Sequence, residues 1–173
     1  LLIEAALIAA DAAPGLSRQR WGFDKWRSHD RDAWQRLFVE AAARRDAGMQ
    51  SLPAIAGCDQ DKAAIKSTRL NASVAGMGDR IRAEVCDIAA CTPAPDMKPG
   101  LVVVNPPYGE RIGHDSALPQ LYAELGNVLR RNFVGWRAAV FTGNPDLGKR
   151  MGIRAVKSHR LFNGPIDCKL LSQ

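Results

Sequence analysis

Hydrophobic positions along this chain follow two spacings, one typical of helices and one of strands. Apolar residues recur at three- and four-residue intervals in several segments, which predicts helices. These segments are the opening LLIEAALIAA and residues 32–47, 61–75 and 118–128. Short apolar or alternating runs between them predict strands at 53–59, 80–85, 101–104 and 136–141. Strands that alternate with helices favour an α/β domain with a mostly parallel sheet.

The ends of these elements carry their own signals. Pro14 and Gly15 are expected to end the first helix, and Gly48 is expected to end the helix over residues 32–47. A short helix is predicted over 144–151, capped by Asn144. Residues 153–162 and 165–171 read as a final strand pair turning about Asn163-Gly164, which would add an antiparallel hairpin.

The most informative stretch is LVVVNPPYG, residues 101–109. Four apolar residues predict a strand covered on both faces, and two prolines end it at Asn105 because they lack the N–H that a sheet requires. Stiffened by Pro106 and Pro107, the turn can present the Asn105 side-chain oxygen and the Pro106 carbonyl as two fixed acceptors. Tyr108 offers a flat face for stacking. The pattern suits a nucleobase with an exocyclic amine. The alternative is a strand-to-loop turn without a binding role, which Asn-Pro-Pro also favours.

Two further segments carry polar side chains near predicted strands or helices. Asp59 ends a predicted strand, where a carboxylate can accept hydrogen bonds from ribose hydroxyls; a helix cap is the alternative for it and for Asp61. In PGLSRQRWGFDKWRSHD, basic and aromatic residues interleave. Arg18, Arg20 and Lys25 could meet phosphates, while the tryptophans there more simply pack on the core.

Composition narrows the function classes. The 173 residues carry a net charge of +6, which favours a polyanionic partner. Four cysteines without C-x-x-C spacing indicate reduced thiols in a cytoplasmic protein, and three scattered histidines match no metal site. No apolar run reaches the length of about 20 residues that a membrane span needs.

Three sequence motifs carry a resemblance to a known family. NPPY resembles the signature of S-adenosylmethionine-dependent methyltransferases that modify amino groups. With the longer NPPYGER, RWGFDKW and NGPIDC, the chain resembles the bacterial 23S ribosomal RNA guanine-N2 methyltransferases over essentially its whole length. In that family, an RNA-binding THUMP domain normally precedes the methyltransferase domain.

The resemblance implies a fold and a site. It implies a Rossmann-like class I methyltransferase fold, here without the family's first strand and glycine-rich loop, so that residues 1–173 would be an N-terminally truncated methyltransferase domain. Asn105, Pro106, Pro107 and Tyr108 would be catalytic. Asp59, Asp87, Ile88 and Asn105 would bind S-adenosylmethionine. The residues that would contact 23S RNA or a large-subunit precursor are Arg18, Arg20, Lys25 and Arg111. No metal is implied.

Alternatives remain open at this point. The four-residue signature alone also fits methylation of adenine-N6 in DNA or of a protein glutamine amide. The extended motifs favour ribosomal RNA. A different class of function is a non-catalytic RNA-binding module, which the absence of the glycine-rich segment favours for this chain.

Overall fold

The computed structural model describes residues 1–109 and 116–173, which divide into two compact units. The first unit is Leu1–Val85 and the second is Cys86–Gln173. Both contain helices and strands, which confirms the α/β class.

The first unit holds three α-helices, two short 3₁₀ helices and a parallel pair of strands. The elements are α1 (Leu2–Ala9), α2 (Arg31–Gln50), β1 (Ile55–Asp59), α3 (Lys62–Val74) and β2 (Ile81–Val85). β1 and β2 pair from Ile55 opposite Ile81 to Asp59 opposite Val85. The side chain of Asp61 caps α3 by accepting from the N–H of Ala63 at 2.8 Å, as the sequence predicts.

Two predicted helix ends in this unit differ from the structure. The first helix ends at Ala9, well before Pro14 and Gly15. The prediction that Gly48 stops the second helix is wrong, because α2 continues to Gln50. A Cβ at Gly48 would lie 2.9 Å from Cα of Ala10, so the glycine allows α2 to approach the backbone that follows α1.

The second unit is built on a four-stranded sheet. Its elements are β3 (Leu101–Val104), α4 (Leu118–Asn132), β4 (Arg137–Thr142), α5 (Pro145–Arg150), β5 (Lys157–Asn163) and β6 (Ile166–Ser172). The strand order is β3-β4-β6-β5. β3 and β4 are parallel, whereas β6 is antiparallel to both β4 and β5, which confirms the C-terminal hairpin.

The hairpin turns one residue later than predicted. Asn163 still pairs with Ile166, so the two loop residues are Gly164 and Pro165. Gly164 has φ +61°, which glycine adopts without strain at the first central position of a tight turn.

The core of the second unit lies between the sheet and α4. Tyr122, Leu125, Val140 and Met151 are almost completely buried there. The Oη of Tyr122 and the Oγ1 of Thr142 are hydrogen-bonded at 2.8 Å, which satisfies both buried hydroxyls.

The expectation that residues 101–104 are covered on both faces is wrong. Val102 and Val104 pack against the core, but Leu101 is 51% and Val103 45% exposed. The reason is that successive side chains of a strand point to opposite faces, and only the face of Val102 and Val104 packs on this core. β1 also has no fully buried residue, whereas β4 is buried along most of its length.

Candidate active site

The Asn-Pro-Pro-Tyr turn starts immediately after β3, at the carboxyl end of the strand, as predicted. The Asn105 residue is exposed and Pro106 is buried. Among the described residues, the Asn105 side chain has no hydrogen-bond partner. A buried proline that fixes its own φ next to this amide gives the turn a rigid base.

Tyr108 is held in place by three contacts within the second unit. The Nδ2 of Asn163 donates to the Oη of Tyr108 at 2.5 Å. The ring meets the ring of Phe141 edge-on, with centroids 6.5 Å apart. A Cβ added to Gly143 would lie 2.7 Å from Cδ2 of Tyr108, so the ring rests directly against that glycine. Tyr108 is half-buried, which leaves part of the ring for another planar group.

The turn that carries Gly143 is itself fixed by hydrogen bonds. The N–H of Asn144 donates to the Oγ1 of Thr142 at 3.1 Å, and Thr142 is bonded to Tyr122 in the core. The Oδ1 of Asn144 accepts from the N–H groups of Asp146 and Leu147, which confirms the predicted cap of α5. Burial raises the pKa of the Tyr122 phenol, so the hydroxyl stays neutral and able to donate.

Asp87 and Ile88 lie at the start of the second unit, where a single 3₁₀ turn runs from Ile88 to Ala90. The Oδ1 of Asp87 caps this turn by accepting from the N–H of Ala89 at 2.8 Å. Asp87 is exposed, so its other carboxylate oxygen lies outside that bond, while Ile88 packs partly on the core. The cap explains why an acid suits this position without requiring a ligand.

Asp59 belongs to the first unit and ends β1. Its Oδ1 accepts from the N–H of Asp61 at 2.9 Å, which orders the chain before α3. The alternative that Asp59 shapes the helix start therefore has direct support. This bond uses one oxygen of an exposed carboxylate, so the other oxygen can accept a hydrogen bond from a hydroxyl.

The two tryptophans of the basic and aromatic segment differ in how far they are buried. The Trp21 ring packs on Phe23, Trp34 and Phe38, with centroids 6.4, 5.1 and 5.9 Å away, so it is structural. The Trp26 residue is 68% exposed.

The basic residues of this segment are all exposed. Arg18, Arg20 and Lys25 have no ion-pair partner in residues 1–109 and 116–173, which leaves their charges available to a polyanion. Arg111 lies outside the described residues.

Two residues that touch Tyr108 cannot be identified from sequence patterns. Asn163 has only the pattern of a turn residue, and Gly143 belongs to no motif. The sequence separation of 55 residues between Asn163 and Tyr108 explains why no local pattern links them. The NGPIDC motif was a signal that this hairpin matters, but it did not indicate a contact.

Within the described ranges, no group of three or more His, Cys, Asp or Glu side chains is placed to hold a metal ion. No helix in those ranges combines the length and apolar character needed to cross a membrane.

Comparisons with known proteins agree on the class. The sequence model of the UPF0020 family, described as an RMKL-like methyltransferase domain, matches residues 1–172. A ribosomal RNA large subunit methyltransferase K/L of Allochromatium vinosum is 52% identical over 172 residues, which are 99% of this chain and 23% of the relative. The chain therefore spans about a quarter of the length of the curated relatives it matches.

Two solved structures are similar over almost the whole chain. One, assigned as a methyltransferase and complexed with SAH (S-adenosylhomocysteine), has a TM-score of 0.88 and 30% identity, covering 99% of this chain and 44% of that one. The other, from Listeria monocytogenes and assigned from sequence as an N6-adenine-specific DNA methylase, has a TM-score of 0.82 and 32% identity, covering 98% and 42%. The Rossmann-like methyltransferase fold is thereby confirmed.

Proposed function

This chain belongs to the UPF0020 family of RMKL-like methyltransferase domains, and from that premise we propose that it methylates the exocyclic N2 amine of a guanine in large-subunit (23S) ribosomal RNA. The methyl donor in this proposal is S-adenosylmethionine, in keeping with the SAH bound by the similar structure. The observation that carries the proposal is the exposed Asn105 amide, three residues before a half-buried aromatic ring, at the end of β3.

The chain's own residues then act by positioning. The Asn105 oxygen and the Pro106 carbonyl accept the two hydrogens of the amine, which orients the nitrogen, and the face of Tyr108 stacks on the base. S-adenosylmethionine supplies a methyl group on a sulfonium, and S-adenosylhomocysteine is its product. The nitrogen gains the methyl group and loses one proton to water. Pro107 keeps this turn stiff.

Three residues are proposed to contact the parts of the donor. Asp59 would accept hydrogen bonds from the ribose hydroxyls, and Asp87 from the adenine amino group, while Ile88 would contact the adenine ring. The exposed carboxylates fit this role because each has one oxygen outside its local cap bond. Asn105, which follows β3, is also proposed to contact the donor.

The basic segment is proposed to contact the RNA backbone. Arg18, Arg20 and Lys25 would neutralise phosphates, and Arg111 would join them from the loop after Tyr108. A paired amine is not reachable inside a helix, so the target guanine would leave its stack to enter the site. We also propose a cytoplasmic protein in which residues 1–173 form the methyltransferase domain of a longer chain, given the length of the relatives.

A second candidate function is methylation of adenine-N6 in DNA. The name of the Listeria monocytogenes protein favours it, and the same two acceptors fit the adenine amine. A protein glutamine amide has the same –NH2 group. A non-catalytic RNA-binding module would use the basic segment without the Asn105 site.

The test is an assay of methyl transfer with the complete natural protein that contains this chain. Labelled S-adenosylmethionine would be supplied with ribosomal RNA, DNA or a release-factor protein, and the modified product identified by mass after digestion. The proposal expects N2-methylguanosine from RNA and a fall of about 100-fold in kcat for Asn105→Ala, since lost positioning has that order of effect. Methyladenine or methylglutamine as the product would replace the proposed acceptor.

The control variant is Asn127→Ala. Asn127 lies on α4, and its Oδ1 accepts a local bond from Arg130 at 2.7 Å, so the same substitution there should leave kcat unchanged. Binding of RNA with no methyl transfer to any acceptor would support the non-catalytic module.

A further inference from the structure

The Tyr108 ring depends on a residue far away in the sequence for its position. Asn163, the last residue of β5, donates from Nδ2 to the Oη of Tyr108 at 2.5 Å. The other contacts, with Phe141 and Gly143, are apolar and touch the ring from the sheet and from the turn after β4. The hydrogen bond is therefore the directional contact that fixes the far end of a half-buried side chain.

We propose that Asn163 is a positioning residue for methyl transfer, which it serves by holding Tyr108 in the orientation that stacks the acceptor base. The inference rests on the function proposed above, because it assigns a consequence to the stacking role of Tyr108. Asn163 does not need to touch the substrate. Without the bond, the phenol end of Tyr108 regains rotational freedom, and the stacked base loses its fixed distance from the Asn105 amide.

The hairpin that carries Asn163 is built to hold this side chain still. Asn163 pairs with Ile166 across a two-residue loop, so its backbone is held by the ladder between β5 and β6. The guanidinium of Arg160 donates from Nε to both carboxylate oxygens of Asp167 at 3.0 Å, which ties the two strands together near the tip.

The hairpin also meets the turn on which Tyr108 rests. A Cβ at Gly143 would lie 3.0 Å from Cγ2 of Ile166, so the tip of the hairpin and the turn after β4 are in close contact. Tyr108 thus has one anchor on the hairpin and one on that turn, and both belong to the second unit. A displacement of the hairpin tip is expected to move the aromatic face with it.

A purely structural role for Asn163 makes a different prediction. If the bond only stabilised the hairpin, its loss would lower the melting temperature and leave kcat unchanged at temperatures where the protein is folded. A positioning role predicts the reverse, with a fall in kcat, little change in melting temperature and unchanged affinity for the methyl donor.

The experiment is a double-mutant cycle in the complete natural protein. Asn163→Ala removes the donor, Tyr108→Phe removes the acceptor and keeps the aromatic face, and the double variant removes both. Each single variant is expected to lower kcat by about 10-fold, within the range known for misplaced groups. The double variant is expected to lose about 10-fold as well, because the two groups act through one bond.

Two further variants serve as controls for side-chain shape and for the loss of an unrelated amide. Asn163→Leu keeps nearly the same side-chain shape without the donor, and should match Asn163→Ala in kcat if the hydrogen bond is what matters. Asn127→Ala removes an amide whose bond is local to α4, and should leave kcat unchanged. Thermal unfolding of every variant establishes that each is folded in the assay.

The outcomes separate this inference from the proposed function. If the unaltered protein methylates adenine or glutamine, the proposed guanine acceptor is wrong. The double-mutant cycle can still be measured, with kcat determined on the acceptor that was identified. Losses that multiply to about 100-fold in the double variant, or an unchanged kcat for Asn163→Ala, overturn the positioning role while the proposed function stands. No methyl transfer to any acceptor overturns both.

Discussion

Gly143 provides the space in which the ring of Tyr108 lies. A Cβ on Gly143 would come within 2.7 Å of Cδ2 and 2.9 Å of Cε2 of Tyr108, closer than carbon atoms approach without a clash. The aromatic face of the Asn-Pro-Pro-Tyr turn therefore has its position set by a residue that has no side chain.

Gly143→Ala should consequently lower activity more than stability. The added methyl group meets the edge of a half-buried ring at the end of a side chain, so the ring turns aside and the backbone does not need to move. We expect kcat for methyl transfer to fall by about 10- to 100-fold, as for other displaced groups, with the melting temperature almost unchanged.

Gly100→Ala is the matched control for this change. A Cβ at Gly100 would lie 3.5 Å from the Trp136 ring, which is ordinary contact, so activity should be retained. Equal activity of Gly143→Ala and the unaltered protein would mean that the pose of Tyr108 does not limit the reaction.

The sequence predicted local features of this fold well. The caps of α3 and α5 by Asp61 and Asn144 are formed within three residues along the chain, so the residue type and its position are sufficient to identify them. The end of β3 before two prolines is equally local, since it follows from the missing N–H groups. The Asn105 turn was therefore placed correctly at a strand end.

Features that depend on distant partners could not be predicted in the same way. The apolar run of β3 predicts a strand, but whether Leu101 is covered depends on which elements pack on that face. The contact between Asn163 and Tyr108 depends on the register of a hairpin 55 residues further on. Gly143 carries no pattern, because its importance is a matter of space.

Gly48 illustrates how one residue type serves two purposes. A helix stop and a close approach both favour the absence of a side chain, and only the structure separates them. Gly48→Ala should lower the free energy of unfolding by about 1–3 kcal/mol, because the new Cβ clashes with backbone atoms of Ala10. That figure is the net loss, after the gain of about 1 kcal/mol from the better helix propensity of alanine.

Chemical denaturation measures this effect, with Gly22→Ala as the control. A Cβ at Gly22 meets no atom within 4 Å, so that variant should unfold like the unaltered protein. A more stable Gly48→Ala would show that α1 and α2 can separate at low cost.

The two tryptophans of RWGFDKW should respond in opposite ways to replacement by alanine. Trp21 packs in a cluster of aromatic rings, so Trp21→Ala should lower the free energy of unfolding by about 2–3 kcal/mol, near the lower end for large aromatic residues because Trp21 is only half-buried. Trp26 is 68% exposed, so Trp26→Ala should change stability little. The affinity of the Trp26→Ala variant for ribosomal RNA should fall by about 10-fold, as expected when one stacked base is lost.

Denaturation and RNA titration at one fixed salt concentration measure these two effects separately. Each variant serves as the control of the other, since both remove a tryptophan from the same segment. If Trp26→Ala binds RNA as tightly as the unaltered protein, this segment contacts RNA through its charges alone.

Tyr122 links the stability of the second unit to alkaline pH. Tyr122→Phe removes its bond to Thr142 and should lower the free energy of unfolding by about 1 kcal/mol at neutral pH. Burial raises the pKa of the phenol above its ordinary value of 10.0, so the unfolded chain ionises first and stability is lost as pH rises beyond 10.0. The phenylalanine variant lacks this loss, so the gap between the two proteins should narrow from pH 9 to about pH 11. Thr142→Val keeps the phenol and should keep the alkaline loss, whereas a gap that stays constant over this range would show that Tyr122 ionises equally in the folded and unfolded chains.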